Sequence, residues 1–502
     1  PMHLNNGKYN PIWNHLNVSL RAGGSWPAVF MWLRRSNHFT DTVVCEMARV
    51  LARHADLMYR TPLSGGNVAM FQNVGLMAAG IILAEHRDAA KWRSQVLKKT
   101  STQVERDFYP DGSHTELSLG YGYSVVNGLL EIRDQIAPNP SLGKLPTSII
   151  DSLEKAFEYY LQVVRPNRFL PNLNDTETIY APNLMKAAVK LFPDRNEFQW
   201  LKDGKGPTPS FRSVANRFSG HYVMRSDWSK RGRFLHFDGG PFGWRFHGHE
   251  DKLSIIADAF GKPLLIEAGV YFPYGNFPEF RYARSTFGHN TVAVDGYPQR
   301  RRYLGNEQGE WVHPFPYEAP LENPWRSNHR FDFVSAVYDK GYGPNSIPVE
   351  HRRSVLFVKD GGYWIVVDRM DSQDDKTHRY DLLFHLNAES VKLQKDQIVS
   401  DHGDGVKLVI RPLGPVPLNR RVVKGKPENP KVKQWNEQSM TRENLMQGWA
   451  NIRGKWREIP TAIFDWKAKG SACVATLLYP QRGKIDQAAI ERAANKGWTG
   501  LV

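Results

Sequence analysis

Cysteine is almost absent from this chain: two in 502 residues, Cys45 and Cys473. One falls in a helical pattern and the other in a strand pattern far away, so neither a disulfide framework nor a thiolate metal site is implied. No run of eighteen apolar residues occurs, which excludes a membrane-spanning helix and predicts no membrane insertion. Acidic residues are in deficit, 51 Asp and Glu against 66 Lys and Arg, for a formal charge of +15. The expected partners are therefore anionic. No RNA-binding, zinc-finger or basic-zipper signature accompanies that charge, so no nucleic-acid partner is expected. The opening PMHLNNGKYN carries no signal-peptide pattern, and a targeting segment removed ahead of this numbering is the expectation. No fixed-period repeat is found.

What is present is a large globular chain, 41% hydrophobic and 12% aromatic, long enough for two or three domains. Fifteen Trp and twenty Tyr suit stacking on sugars, although a core or rim position is the ordinary reading for any single one. Residues 1–200 read as helices. Over 42–58, Val44, Met47, Leu51, Ala55 and Met58 share one face, and 147–164 repeats the pattern more strongly. Further helices are predicted near 67–85, 89–107 and 118–136. Short Gly/Pro/Asp breaks separate them, as in antiparallel helical hairpins. The stretch KDGKGPTPS (202–210) marks a boundary between domains at 1–204 and 205–502. Beyond it the pattern turns to strands: a hairpin over 351–368, and segments at 232–238, 291–295, 331–338, 379–387, 406–411 and 472–479. Strands following helices predict segregated α and β domains rather than a βαβ sheet. Residues 414–440, rich in Pro, Lys and Asn, read as a long surface loop.

Chemistry-bearing residues concentrate at 236–296. That stretch holds His247, His249, Asp251, Glu267 and His289, with Tyr271, Tyr274, Arg245, Arg281 and Arg284. Two apolar runs, 253–260 and 263–268, flank Gly261-Lys262 as a hairpin. His247-x-His249 with Glu267 and His289 has two readings, a Zn²⁺ ligand set or a hydrogen-bonded histidine cluster in a sheet. In a regular strand the two histidines share a face; a bend at Gly248 lets them do different jobs. DGSHTELSLGYGYSVV (111–126) is a second concentration. Asp111-Gly112 is a turn, Thr115 or Ser118 is placed to cap the next helix, and Tyr121 and Tyr123 fall near its start. GGNVAMFQNVGL (65–76) is a third, in which Asn67 and Gln72 bring amide donors, an N-cap being the plain reading of such an Asn.

GNVAMFQNVGLMAAGIILAE, YPDGSHTELSLGYGYSVV, FHGHEDKLSIIADAFGKPLLIEAGVY and YARSTFGHNTVAVDG together resemble the heparinase II/III-like polysaccharide lyases, over roughly 10–390 and in family order. The resemblance implies an incomplete α/α toroid of helical hairpins followed by an antiparallel β-sandwich. It implies that Asn67 neutralises a substrate carboxylate, that Tyr121 and His247 are catalytic, and that Tyr271 or Tyr274 is a second active-site tyrosine. His249, Glu267 and His289 then correspond to ligands of a structural Zn²⁺. Three positions depart from the common family pattern. The metal carboxylate is Glu267 rather than Asp, Gly122 rather than His follows the tyrosine, and Asn67-Val68 stands where alginate lyases often have Asn-His. The helical part is short for a closed toroid, so an open ring or a further segment upstream of Pro1 is expected.

The implied reaction is β-elimination on a uronic-acid polysaccharide, a glycosaminoglycan such as heparan sulfate or an alginate-like polyuronate. A donor must neutralise the uronate carboxylate as charge develops at C5; Asn67, with Gln72 and Arg245, is assigned there. Tyr121 serves as acid and His247 as base or its orienter, with Glu116 among the substrate contacts. The expected location is periplasmic or secreted. Two other classes compete. One is an α/α-toroid glycoside hydrolase drawing on Asp111, Glu116 and Asp251; the other is a non-catalytic polyanion-binding protein.

Overall fold

The structure, a computed structural model, describes residues 4–5, 8–9, 13–63, 65–243, 247–272, 274–301 and 319–499. The chain divides into two compact units, 1–116 with 121–158, and 117–120 with 159–502.

The first unit is built of helices α1 (His15–Gly23), α2 (Ser25–Leu33), α3 (Asp41–Arg60), α4 (Gly66–Ile82), α5 (Ala89–Asp107), α6 (Leu119–Ile136, from Tyr121 on) and α7 (Thr147–Val163, as far as Glu158). The predicted helices at 42–58, 67–85, 89–107, 118–136 and 147–164 correspond to α3 through α7. Helix α3 shows why its ends fall where they do. The Thr40 hydroxyl accepts from Val43 N at 3.4 Å, Asp41 sits in the first turn and Arg60 in the last, each sign complementing the helix dipole. Helix α4 is apolar on nearly every side and buried along most of its length, the mark of a central helix. Its glycine lets a neighbour come close: a Cβ on Gly75 would lie 2.9 Å from the Ser19 carbonyl oxygen of α1.

The second unit takes in the end of α7 from Tyr159, then α8 (Ala181–Leu191) and α9 (Asn196–Asp203), and the first strand of its sheets begins at Val214. The switch from helix to strand thus falls between Asp203 and Val214, while the compact units part at Glu158/Tyr159. Five strands run as an antiparallel meander: Val214–Asn216, His221–Arg225, Phe234–Asp238, Ile255–Ala259 and Lys262–Leu265. An eight-stranded and a four-stranded sheet, also antiparallel throughout, complete the layers. Their inner faces share one core. Tyr222, Phe237 and Ile255 come from the first sheet, Val355, Trp364 and Val366 from the second, and Leu382, Phe384 and Phe464 from the third. Each such side chain contributes about 1.5–3 kcal/mol of burial. Helical hairpins followed by an antiparallel β-sandwich are the predicted class.

Two local expectations shift. The hairpin of 253–268 turns at Phe260 and Gly261 (φ 55° and 84°), one residue earlier than Gly261-Lys262, because both positions of a two-residue loop take positive φ. The stretch 414–440 is not all loop: Asn419–Lys424 is an edge strand paired with Pro460–Lys469.

A buried ion pair ties the sandwich to the chemistry-rich segment. Arg353 Nε donates to Asp368 Oδ1 at 2.7 Å, and His351 Nε2 meets the same oxygen at 2.7 Å. The Arg353 guanidinium also donates to the carbonyls of Leu253 and Asn290, at 2.6 and 2.5 Å. Leu253 has φ 65°, so this bracing holds a conformation that a leucine seldom adopts. Asn290 adds two bonds, from its Nδ2 to the carbonyls of Ile255 and Ile266.

Candidate active site

In the helical unit, Asn67 lies in the first turn of α4 and is half-buried. The turn is gripped through its backbone. Gly66 N donates to Asp107 Oδ2 at 2.7 Å, and Gln103 Nε2 donates to the Gly66 carbonyl at 2.9 Å and to Asp107 Oδ2 at 2.9 Å. Arg106 closes on Asp107 Oδ1 at 2.9 Å. Gly66 has φ 73°, and a Cβ on Gly65 would fall 1.7 Å from the Arg106 guanidinium, so the glycine pair is required both for its dihedral and for its space. Asn67 makes no side-chain hydrogen bond among the described residues. Gln72 is different. Its Oε1 accepts from Leu63 N at 2.7 Å and its Nε2 donates to the Thr61 carbonyl at 3.0 Å, with 2% of the residue exposed. Glu116 is fully buried. The expected substrate contacts of Gln72 and Glu116 have no exposed polar atom to rest on; both read as holding the fold. Tyr121 is half-buried in the first turn of α6.

The second unit brings two of the remaining candidates, His249 and Tyr274, onto a carboxylate that the sequence reading missed, Asp175. Its Oδ1 meets His249 Nε2 at 2.8 Å and its Oδ2 accepts from the Tyr274 hydroxyl at 2.9 Å. Asn174 (φ 52°) accepts from His249 N at 2.6 Å and donates to the Leu117 carbonyl at 3.1 Å. Ser118, expected as a helix cap, instead donates to the Asp175 carbonyl at 2.8 Å. Burial works against the Asp175 charge, yet the hydrogen bond from His249 and the charge of Arg284 hold its carboxyl below the usual value.

The two histidines of the His-x-His do part at Gly248. A Cβ there would lie 2.5 Å from the Gly243 carbonyl and 2.7 Å from Arg301 Nε, so the backbone passes where no side chain fits. His247 is half-buried, with its ring 6.1 Å from that of Tyr274. His249 is buried, and burial pulls its pKa down to about 3. Its ring is therefore neutral. With Nε2–H directed at Asp175, the tautomer leaves a lone pair on Nδ1, which is buried and unpartnered. Tyr271 packs against Trp456 and Phe277, at 5.9 and 5.5 Å between rings, so Tyr274 is the tyrosine beside His247. Arg284 donates to the Gly248 carbonyl at 3.1 Å, and Arg281 is committed to Glu428. Arg245 lies outside the described residues.

His289 Nδ1 pairs with Glu267 Oε2, and the other oxygen of Glu267 accepts from Ser254 at 2.7 Å. Burial opposes the His289 charge, but Glu267 outweighs it and raises the pKa. The rings of His249 and His289 are 5.3 Å apart. Among the described residues, no three His, Cys, Asp or Glu side chains stand together in metal-holding geometry. The donor chemistry nevertheless fits a cation such as Zn²⁺. His249 offers a free buried lone pair and carries the carboxylate on its other nitrogen that metal-binding histidines have; His289 Nε2 is buried without a partner, and Glu267 is in contact with His289. His289 would release its proton on binding.

A helical-hairpin unit and a layered antiparallel sandwich that bears a histidine–carboxylate–tyrosine cluster define the class, an α/α toroid followed by a β-sandwich. Residues 2–200 match the family described as heparinase II/III N-terminus, and residues 208–440 the one described as heparinase II/III-like, C-terminal. The chain belongs to the heparinase II/III-like family. Among curated relatives it is 24% identical over 425 residues to a heparin-sulfate lyase of Pedobacter heparinus, covering 82% of this chain and 60% of that one. It is 26% identical over 316 residues to a heparin-sulfate lyase of Bacteroides thetaiotaomicron, covering 57% and 45%. The chain thus spans about 60% or less of the length of these relatives. A solved structure of heparinase III superposes with TM-score 0.75 at 19% identity, over 96% of this chain and 72% of that one. The heparan sulfate lyase HepC of Pedobacter heparinus gives 0.69 at 21%, over 97% and 71%. No helix among the described residues is long and apolar enough to cross a membrane.

Proposed function

We propose that this protein is a carbon–oxygen lyase that cleaves a heparin- or heparan-sulfate-type glycosaminoglycan by β-elimination. The observation that carries the reading is the split of the histidine pair within a family of such lyases. His247 stays half-exposed beside Tyr274, while His249 is locked on Asp175, which also orients Tyr274. A base removes the C5 proton, its electron pair forms the C4–C5 double bond, and the C4–O4 bond breaks as O4 takes a proton from an acid. Asn67, whose amide has no side-chain partner, neutralises the uronate carboxylate as charge develops. Tyr121 delivers the proton to O4, and where proton and leaving group lie on one side it also serves as base. His247 is the base, or orients it, when they lie on opposite sides. His249, Glu267 and His289 would hold Zn²⁺. The bound ion would supply a fixed positive charge that rigidifies the segment presenting His247.

Asn67-Val68 favours a glycosaminoglycan over alginate. The hydrolase reading loses ground because Glu116 and Asp251 are buried and Asp111 is spent on the Ser113 turn. A periplasmic or secreted location fits a polymeric substrate. The test is ultraviolet absorbance of an unsaturated uronate across a panel of heparan sulfate, heparin, chondroitin sulfate and alginate. Absorbance should rise with heparan sulfate or heparin; new reducing ends without absorbance, or no cleavage of any of them, overturns the reading. Metal analysis of the purified protein should find one zinc per chain, lost in His249→Ala.

A further inference from the structure

The hairpin formed by Trp449–Ile452 and Lys455–Glu458 stands apart from the large sheets as a two-stranded ribbon. Arg453 and Gly454, with φ 54° and 80°, make its two-residue turn, the pair of positive φ values that a type I′ loop requires. Alternate residues of a strand face opposite ways. On one face Trp456 packs 5.9 Å from Tyr271 and 6.4 Å from Tyr282. Asn451 stitches the ribbon down, its N donating to the Ala268 carbonyl at 2.8 Å and its Nδ2 to the Val270 carbonyl at 2.7 Å. The ribbon is therefore fastened to the short segment that carries Glu267 and Tyr271.

The other face presents Lys455 and Arg457, with Arg453 at the tip. These three line a groove of about 660 Å³ that reaches Ile266 and Glu267. That volume lies within the roughly 300–1,000 Å³ of small-molecule sites. Five cationic side chains and two carboxylates line it. Two of the cations are already committed: Arg165 grips Asp258 at 2.9 and 2.8 Å, and Lys262 meets Asp404 at 2.7 Å. Arg453, Lys455 and Arg457 are exposed and carry no side-chain hydrogen bond or ion pair among the described residues. Three uncommitted cations on one rigid ribbon, facing a concave surface, form a built receptor for negative charge. Stability does not account for them, since like charges crowded on a four-residue strand and its turn repel.

We propose that this groove is a second glycan-binding site, which takes a sulfated or carboxylated sugar of the polymer other than the one held at His247. The proposal rests on the reading of the protein as a lyase of acidic glycans and adds to it a preference for long chains. The ligand class follows from the donors: ammonium and guanidinium groups pair with sulfate and carboxylate, and guanidinium does so bidentately.

The test uses size-defined heparin oligosaccharides, a tetrasaccharide and a dodecasaccharide, with the full chain. Calorimetric affinity is measured for the Lys455→Gln/Arg457→Gln double variant and for the charge-conserving Lys455→Arg/Arg457→Lys variant. The neutral double variant should bind the dodecasaccharide about tenfold more weakly, the loss expected for two exposed ion pairs, with a shallower salt dependence. It should bind the tetrasaccharide as the wild type does, and the charge-conserving variant should keep wild-type affinity for both. The melting temperature of each variant separates a folding defect from a binding one. Unchanged dodecasaccharide affinity in a folded neutral variant overturns the proposal, as does an equal loss for both lengths. Cleavage with unaltered dodecasaccharide affinity would sink the groove and leave the lyase reading intact. Charge-dependent binding without cleavage of any glycan would do the reverse.

Discussion

The turn that presents Asn67 and the loop that presents His249 are held by opposite means. Around Asn67, the side chains of Asp107 and Gln103 grip the backbone of Gly66, and the Asn67 amide itself is left uncommitted. Around His249, the side chain is the thing gripped: Asp175 takes Nε2, Asn174 takes the backbone N, and burial keeps the ring neutral. A group that must meet a substrate is best positioned through its main chain, because its own hydrogen-bonding capacity then stays available. A group that must hold a neighbour or an ion is best fixed through its side chain. His247 and His249 repeat the contrast at a distance of two residues, one half-exposed and one sealed.

The contrast breaks most visibly if the bracing of the backbone at Leu253 and Asn290 is removed. Asp368→Ala leaves Arg353 and His351 buried without their carboxylate. Loss of one partner from a buried pair costs about 3–5 kcal/mol, so denaturant unfolding should show a drop of that size. A change below about 1 kcal/mol would mean that Arg353 is satisfied by its carbonyl partners alone.

Next in size are the reacting groups. Tyr121→Phe and His247→Ala should each lower turnover by a factor on the order of 10² or more, with the melting temperature close to that of the wild type. A Tyr121→Phe enzyme with near wild-type turnover would make Tyr121 a packing residue and move the acid to Tyr274.

The two ways of holding a residue predict opposite signatures in the helical unit. Asp107→Ala strips Gly66 N of its acceptor and should cost about 1–3 kcal/mol of stability along with turnover. Asn67→Ala should cost turnover and leave stability unchanged, since no bond of the fold depends on its amide. Comparing the two variants by thermal melting and by initial rates checks this; equal destabilisation by both would erase the distinction.

How much of this was legible in sequence follows from range. Helices α3 to α7 announce themselves because their apolar spacing is local. Likewise, the hairpin around Asp360-Gly361-Gly362 and the strand at 331–338 lie where alternation and turn residues put them. The edge strand at 419–424 hides because an edge needs no alternating apolar face, and Lys and Arg suit it. Asp175 hides for another reason. Its partner His249 is 74 positions away, and NLNDTE reads as an ordinary polar turn. The one available signal was Asn174, a residue type that tolerates positive φ, next to an acid. Gln72 and Glu116 misled because an amide or a carboxyl in a motif looks the same whether it faces solvent or the fold.

The smallest expected effect tests side-chain fixing away from the candidate site. His378 sits between two carboxylates, Nδ1 to Asp295 Oδ2 and Nε2 to Asp374 Oδ1, each at 2.7 Å. Burial pulls its pKa down, but the hydrogen bonds and charges of Asp295 and Asp374 outweigh that and raise it. In return the His378 hydrogen bond is the largest influence holding the Asp374 carboxyl down at about 2. A histidine whose folded pKa lies above its unfolded value of roughly 6.5 stabilises the fold fully below that value. The contribution then fades as pH rises through the folded pKa. Wild-type protein should therefore lose a small increment of melting temperature relative to His378→Gln on going from pH 5.5 to pH 8.5. Asp374, held down at about 2, stays ionised over that window, so the difference between the two proteins follows the histidine. If the two melting curves shift in parallel across the window, His378 is held neutral and its ring acts only as a spacer between Asp295 and Asp374.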